Sequence, residues 1–160
     1  MMKVQIIDNF LSEKQLVEFI RFIKDPYFPW FRGYKVSDVE NPQIQMRHLF
    51  LKDNNKSMHF EGVKPILDLF DKKIEKVKIN LTFNSGEQTV GGWHYDYLND
   101  DKIKIAILYL NTNNGYTMLK DGTKINSVEN RLALFDNVWH TDVTQTDTEE
   151  RVVLNIGYYE

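Results

Sequence analysis

The residues best equipped for chemistry are two of the chain's four histidines and one nearby carboxylate. Gly91-Gly92-Trp93-His94-Tyr95-Asp96 sets an imidazole and a carboxylate two positions apart, which on an extended backbone sends both side chains to the same side. His140 follows 46 residues after His94, beyond the short loop Asp136-Asn137-Val138-Trp139. Two neutral imidazoles and one carboxylate on one face of a metal ion form the facial triad that leaves positions open on iron(II) for a cosubstrate and oxygen. The His-x-Asp pair alone is weak evidence, since a histidine beside a tryptophan is more often packed or surface-exposed than a ligand. The chain has no cysteine, which excludes disulfide staples, cysteine zinc sites, iron–sulfur clusters and thiol nucleophiles. Any metal must be held by His, Asp and Glu; His48 and His59 are read as structural.

Arg151 is the second chemical feature. It opens an otherwise apolar strand, in which alternation puts Arg151, Val153 and Asn155 on one face and Val152, Leu154 and Ile156 on the other. Pointing inward, the guanidinium needs an anionic partner, and a ligand carboxylate fits its two-pronged geometry. Pointing outward, it pairs in solvent with Asp147, Glu149 or Glu150. Both placements are open at this level.

The elements that must position these groups differ between the two halves of the chain. All four prolines lie in the first 65 residues, whereas six of the eight glycines lie after residue 77. The first half reads as helical and irregular. Ser12 with Gln15 forms a capping box for a helix whose apolar residues Leu16, Val17, Phe19, Ile20, Phe22 and Ile23 run until Asp25-Pro26 stops it. A second helix is expected over about 62–77. Residues 27–34 hold five aromatics between prolines and are read as irregular, either a lid or packing. From residue 77 the period becomes that of strands, expected at 77–83, 103–111, 116–120, 124–127, 131–135 and 151–159. The 103–111 strand is apolar on both faces and belongs between two covered layers. Helices followed by many short strands without crossover helices argue for a mainly β fold, an antiparallel jelly-roll barrel buttressed by N-terminal helices. One domain of 160 residues is expected, with 1–76 as support and possible lid and 77–160 as the jelly-roll core.

Charge narrows the partners. Residues 1–76 carry 13 basic and 11 acidic side chains, whereas 77–160 carry 7 and 12. A C-terminal half that repels polyanions makes nucleic acid an unfavoured partner. It favours a neutral or cationic peptide or amino-acid-like substrate, given Asp100, Asp101, Asp142, Asp147, Glu149 and Glu150 near the presumed mouth. No run approaches a membrane span, and the start lacks a signal peptide's apolar stretch, so no membrane partner and a cytoplasmic location are expected.

The order of these pieces resembles a known family. His94-x-Asp96, the Ile105–Asn111 stretch with Tyr109-Leu110-Asn111, Gly115-Tyr116-Thr117-Met118-Leu119, Asn130-Arg131-Leu132-Ala133-Leu134-Phe135-Asp136, His140 and Arg151 together look like the prolyl-hydroxylase-like 2-oxoglutarate/Fe(II)-dependent oxygenases. The opening Ile6-Ile7-Asp8-Asn9-Phe10-Leu11 resembles the start of short bacterial and phage members. The resemblance implies a double-stranded β-helix and a dioxygenase using Fe(II), 2-oxoglutarate and O2. It makes His94, Asp96 and His140 the iron ligands and Arg151 the anchor of the cosubstrate's far carboxylate, with Tyr109 and Asn155 as further cosubstrate-binding residues. Asp96 is the carboxylate that halogenating relatives lose, so the implied outcome is hydroxylation of an unactivated C–H, with a peptidyl proline or amino-acid-like molecule as substrate by analogy. Two departures stand out. His140 and Arg151 are 11 residues apart, with 141–148 as an extended loop, and Phe83 occupies a position where several members have tyrosine, leaving Thr82 or Asn84 to supply a hydroxyl or amide. The rival reading is a non-catalytic cupin-like module binding a metal or carbohydrate, which has no use for the Arg151 and Asn155 face.

Overall fold

The computed structural model describes residues 3–34, 44–98 and 100–160. In chain order the elements are β1 (Val4–Ile7), α1 (Glu13–Ile23), β2 (Phe31–Tyr34), β3 (Ile44–Lys52), β4 (Asn55–Lys56), α2 (Phe60–Leu67), β5 (Ile74–Phe83), β6 (Ile103–Tyr109), β7 (Tyr116–Leu119), β8 (Lys124–Asn126), β9 (Arg131–Asp136), β10 (His140–Val143) and β11 (Glu150–Tyr159). The large sheet runs β1-β9-β6-β11-β5-β3-β2, with β4 paired to β3, and the small sheet runs β10-β7-β8. The pairings are antiparallel, as a jelly roll requires.

Helix α1 begins where the capping box puts it. Ser12 Oγ accepts from Gln15 N at 3.2 Å and Gln15 Oε1 accepts from Ser12 N at 3.1 Å, satisfying two amides that a helix start leaves bare. Phe19 and Ile23 are its buried residues. The six strands expected from the pattern are present, with ends displaced by three residues at most.

Three expectations are corrected. The second helix is Phe60–Leu67, not 62–77, because Ile74 and Val77 belong to β5. Their spacing of three suits a helix, but their backbone groups pair with β11 on one side and, from Lys76 onward, with β3 on the other. The first half is not merely helical support: β1, β2, β3 and β4 all join the large sheet, and the nine-residue β3 lies along β5. The segment after His140 is not one extended loop, since His140–Val143 forms β10 against β7.

The two-faced strand β6 lies between two cores. Ile105, Ile107 and Tyr109 pack with Leu119, Ile125, Phe135 and Val153 between the sheets. Ala106 and Leu108 pack with Val77, Ile79, Leu154 and Ile156 and with Phe19, Val63 and Ile66 of the helices. The N-terminal layer is also clamped through one side chain. Asn130, at φ 62°, accepts from Leu11 N and donates to Leu11 O, both at 2.8 Å and buried. Asn130→Ala strands both peptide groups and forces alanine into a left-handed backbone, so urea unfolding is expected to show a loss of about 2–4 kcal/mol.

Candidate functional site

His94 and His140 meet because the backbone pairs them. The chain at Val90 and His94 makes isolated bridges to Val143 and His140, extending the small sheet beyond β10. His94 N donates to His140 O at 3.0 Å and His140 N to His94 O at 3.1 Å, which leaves the imidazole centroids 4.6 Å apart. Tyr95 and Trp139, each next to a member of this pair, pack ring against ring at 4.8 Å and tie the two segments a second time. Asp96 follows and completes the cluster: its Oδ1 lies 3.9 Å from His94 Nε2 and its Oδ2 3.4 Å from His140 Nε2.

The donor set fits a divalent cation. His94 Nδ1 donates to Gly92 O at 2.9 Å and His140 Nδ1 to Val138 O at 2.7 Å. Carbonyls only accept, so the Nδ1 atoms carry the protons and the Nε2 lone pairs turn toward Asp96, the arrangement that orients metal-binding imidazoles. One ligand atom from each residue lies within 4.8 Å of the others. That separation is close enough for all three residues to hold one ion. Burial holds His94 below the ordinary imidazole range. Burial acts in the same direction at His140, but in the protonated ring Nε2–H donates to Asp96, and that bond with the carboxylate's charge outweighs burial and pushes the pKa up. Burial pulls Asp96 up, yet His140 and His94 hold its carboxyl well below the usual carboxylate range.

His94 and His140 open on a cavity of about 60 Å³ between the two sheets. Its large-sheet wall follows from alternation. On adjacent rungs Gln45 pairs with Thr82 and Thr82 with Arg151; Arg47 pairs with Asn80 and Asn80 with Val153; Leu49 pairs with Lys78, Lys78 with Asn155 and Asn155 with Ile107. Gln45, Lys78, Asn80, Ile107, Arg151, Val153 and Asn155 line the cavity from this side, and Thr117, Thr141 and Asp142 from the small sheet. The outward residues of β11, Val152, Leu154 and Ile156, enter the other core.

Arg151 points inward and is only 3 % exposed. Its Nε donates to Ser127 Oγ at 2.9 Å, and an Nη lies 3.5 Å from Thr117 Oγ1. It meets no carboxylate among the described residues. Gly115 lets it lie there, since a Cβ at that position would come 2.8 Å from Arg151 Cδ and from Val143 O. The long His140–Arg151 spacing is taken up by a loop pinned at β5: Gln145 Nε2 donates to Thr82 O, and Asn84 Nδ2 to Thr146 O and Thr148 O.

The other expected residues are distributed less simply. Asn155 lines the cavity, and its buried Nδ2 has no partner among the described residues. Tyr109 lies one layer behind: its hydroxyl donates to Thr117 Oγ1 at 2.8 Å and its ring lies 5.7 Å from the Arg151 guanidinium. Phe83 is exposed, and neither Thr82 nor Asn84 lines the cavity. Sequence reasoning missed Gln45, Lys78, Asn80 and Thr117. The polar alternation of Lys78, Asn80 and Thr82 against Val77, Ile79 and Leu81 was the available clue, since in this fold the helices cover the apolar face of β5 and leave Lys78 and Asn80 to the cavity between the sheets.

Other segments take structural roles. His48 Nδ1 is 2.9 Å from Pro29 O and its Nε2 2.9 Å from Ser57 Oγ, with Phe28 and Phe50 against the ring. In the 27–34 stretch Phe28 is buried and Trp30 Nε1 donates to Ile23 O, so these two rings are core rather than lid, while Tyr27 is 91 % exposed. The side chain of Tyr34 lies outside the described residues. Of the acidic residues expected at the mouth, only Asp142 lines the cavity; Asp100 and Asp147 accept from Lys102 N and Asn114 N, and Glu150 faces Lys24.

The architecture is shared with solved structures over almost its whole length. An oxidoreductase of the 2OG-Fe(II) oxygenase family from Burkholderia pseudomallei superposes with a TM-score of 0.72 at 12% identity, covering 98% of this chain and 84% of that one. A prolyl hydroxylase from Trichoplax adhaerens, in complex with a hypoxia inducible factor oxygen degradation domain peptide fragment, gives 0.64 at 16% identity, with 98% and 83% covered. A prolyl-4-hydroxylase from Pseudomonas putida gives 0.61 at 15% identity, with 99% and 93% covered. No family model and no curated protein sequence matches the chain. The chain therefore has the jelly-roll fold of the 2OG-Fe(II) oxygenases. Within that class the similar structures include prolyl hydroxylases.

Proposed function

We propose that this chain is a 2-oxoglutarate- and Fe(II)-dependent dioxygenase that hydroxylates an unactivated C–H of a peptide or amino-acid-like substrate. The observation that carries the reading is a His-Asp-His cluster whose two histidines share one cavity with a buried arginine that has no carboxylate partner among the described residues. A guanidinium held so far from water is costly without an anion, and a non-catalytic jelly-roll module has no use for it.

His94, Asp96 and His140 would hold Fe(II), with the Gly92 and Val138 carbonyls fixing the imidazole tautomers. Bound there, the iron would supply the oxidising power for C–H hydroxylation, with O2 and 2-oxoglutarate as cosubstrates. Arg151 binds the far carboxylate of 2-oxoglutarate. Ser127 and Thr117 hold the guanidinium in line, and the Tyr109 ring excludes water behind it. Asn155 offers its unpaired amide to a cosubstrate oxygen. Ile107 and Val153 provide the apolar wall that keeps the reacting groups dry. Peptide as a substrate class draws support from the peptide bound to the Trichoplax prolyl hydroxylase of the same fold.

The reading is tested by incubating the full chain with Fe(II), 2-oxoglutarate and O2 and measuring succinate formed without a primary substrate. Succinate above a no-protein control, abolished by chelation, is expected. Metal binding with no 2-oxoglutarate affinity and no succinate would instead support a metal-binding jelly roll.

A further inference from the structure

The metal cluster stands between two cavities. His94 and His140 open on the one that holds Arg151, whereas Asp96 opens on a second, smaller cavity of about 10 Å³. Lys78 and Asn155 line both, and Lys76, Tyr97 and Gly157 line the second alone. The register places this second cavity past the cluster as seen from Arg151. Successive rungs of β5 and β11 pair Thr82 with Arg151, Asn80 with Val153, Lys78 with Asn155 and Lys76 with Gly157. Arg151 and Gly157 are six residues apart, about 20 Å of strand. A 2-oxoglutarate anchored at Arg151 and chelating the triad is used up before the Lys76 rung, which leaves the second cavity to the primary substrate.

The groups around that cavity are rich in donors. Lys76 and Lys78 are two apart on β5 and share its inner face, both half-buried. Asp96 pairs with the two histidines, and neither lysine makes an ion pair among the described residues. Burial pulls the pKa of Lys78 down, the charge of Lys76 lowers it further and that of Asp96 raises it, so the three groups share one field. Lys76 Nζ lies 5.6 Å from the centre of the Tyr97 ring. Tyr97 is held there by Asn137, whose Oδ1 accepts from Tyr97 N at 3.4 Å and whose Nδ2 donates to Tyr97 O at 2.6 Å. Gly157 makes room for the ring, since a Cβ at that position would overlap the Tyr97 hydroxyl and come 2.6 Å from Cζ. The hydroxyl is buried without a partner among the described residues, and burial pushes its pKa up, so it keeps a proton to give.

We propose that Lys76, Lys78 and Tyr97 seat a carboxylate of the primary substrate on the side of the metal cluster away from Arg151. The proposal rests on the dioxygenase reading and names its substrate class: an amino-acid-like acid or an acidic peptide side chain. Asp96 is the one carboxylate lining this cavity among the described residues, and the metal claims it. Two ammonium groups and a phenol are then left without an anion, a donor set that suits an oxyanion. The space holds one oxygen-sized group, which suits the edge of a planar carboxylate better than a phosphate with its several oxygens. The neutral or cationic substrate expected from overall charge gives way, because Asp142 is the one acid behind that expectation that lines either cavity.

The test is anaerobic calorimetric titration of the full chain, loaded with Fe(II) and saturating 2-oxoglutarate, with two matched pairs of probes: N-acetylalanine against its amide, and acetyl-Glu-amide against acetyl-Gln-amide. At least one acid is expected to bind at least about 10-fold tighter than its neutral partner, the worth of a hydrogen bond to a charged group. The first pair reads a free acid and the second a peptide side chain. Lys78→Met should erase the preference, and Lys76→Met and Tyr97→Phe should each reduce it, the last while keeping the ring over Gly157. Acids that bind no tighter than their amides would overturn the proposal, as would a preference left intact in Lys78→Met or tighter binding of inorganic phosphate than of either acid. A loss of 2-oxoglutarate affinity in Lys78→Met as large as in Arg151→Ala would also overturn it, by placing Lys78 on the cosubstrate. Failure of the dioxygenase reading is read separately, before any probe is added: the parent protein would then bind no 2-oxoglutarate.

Discussion

Alanine at His140 is expected to lower Fe(II) affinity by at least about 100-fold, since losing a supporting residue alone typically costs 10–100-fold and this removes a donor atom. His94→Ala should behave alike, because the two rings are equivalent partners across one backbone bridge. His140 is buried at 5 % exposure and its backbone pairs with His94 whatever its side chain, so the variant should keep the bridge and fold. Equilibrium titration of Fe(II) under anaerobic conditions, with circular dichroism as the folding control, measures the effect. Full stoichiometry and unchanged affinity in both variants would remove the triad assignment.

Arg151→Ala is expected to raise the 2-oxoglutarate dissociation constant by about 100-fold or more while leaving Fe(II) affinity nearly unchanged. Breaking a buried charge pair costs about 3–5 kcal/mol, and each 1.4 kcal/mol is tenfold in affinity. The split arises because Arg151 bonds to Ser127 and Thr117 rather than to the triad. Arg151→Lys should recover only part of the loss, since an ammonium offers a point charge without the planar fork. Calorimetry with the metal-loaded protein separates the two affinities. Equal 2-oxoglutarate affinity in parent and alanine variant would leave the buried guanidinium a structural group and favour the non-catalytic jelly roll.

The second half of the fold was legible because its period is two and its strands are short. In β6 and β11 the alternation of side chains assigns each residue to one of two layers, and no helical spacing competes with it. The same alternation put Arg151, Val153 and Asn155 on one face, where the cavity lies. His-x-Asp was legible as a pair, since two residues on extended backbone share a side, and Ser12 with Gln15 specified a helix start from local hydrogen bonding alone.

Tertiary structure decided what depends on partners remote in the chain. Ile74 and Val77 suit a helix and a strand equally, and the strand wins because β3 and β11 offer ladders on both sides of β5. The same pairing brings Gln45 from the first half to the site wall, a contact no local pattern encodes. Tyr109 sits behind Thr117 rather than in the cavity because the small sheet crosses in front of it at β7. The sequence by itself determined which residue types could bind a metal and an anion, and which of them share one side of a strand. Only the folded chain decided that His94 and His140 meet across a bridge and that Lys78 shares their cavity, because convergence is set by strand register between distant segments and not by spacing within one.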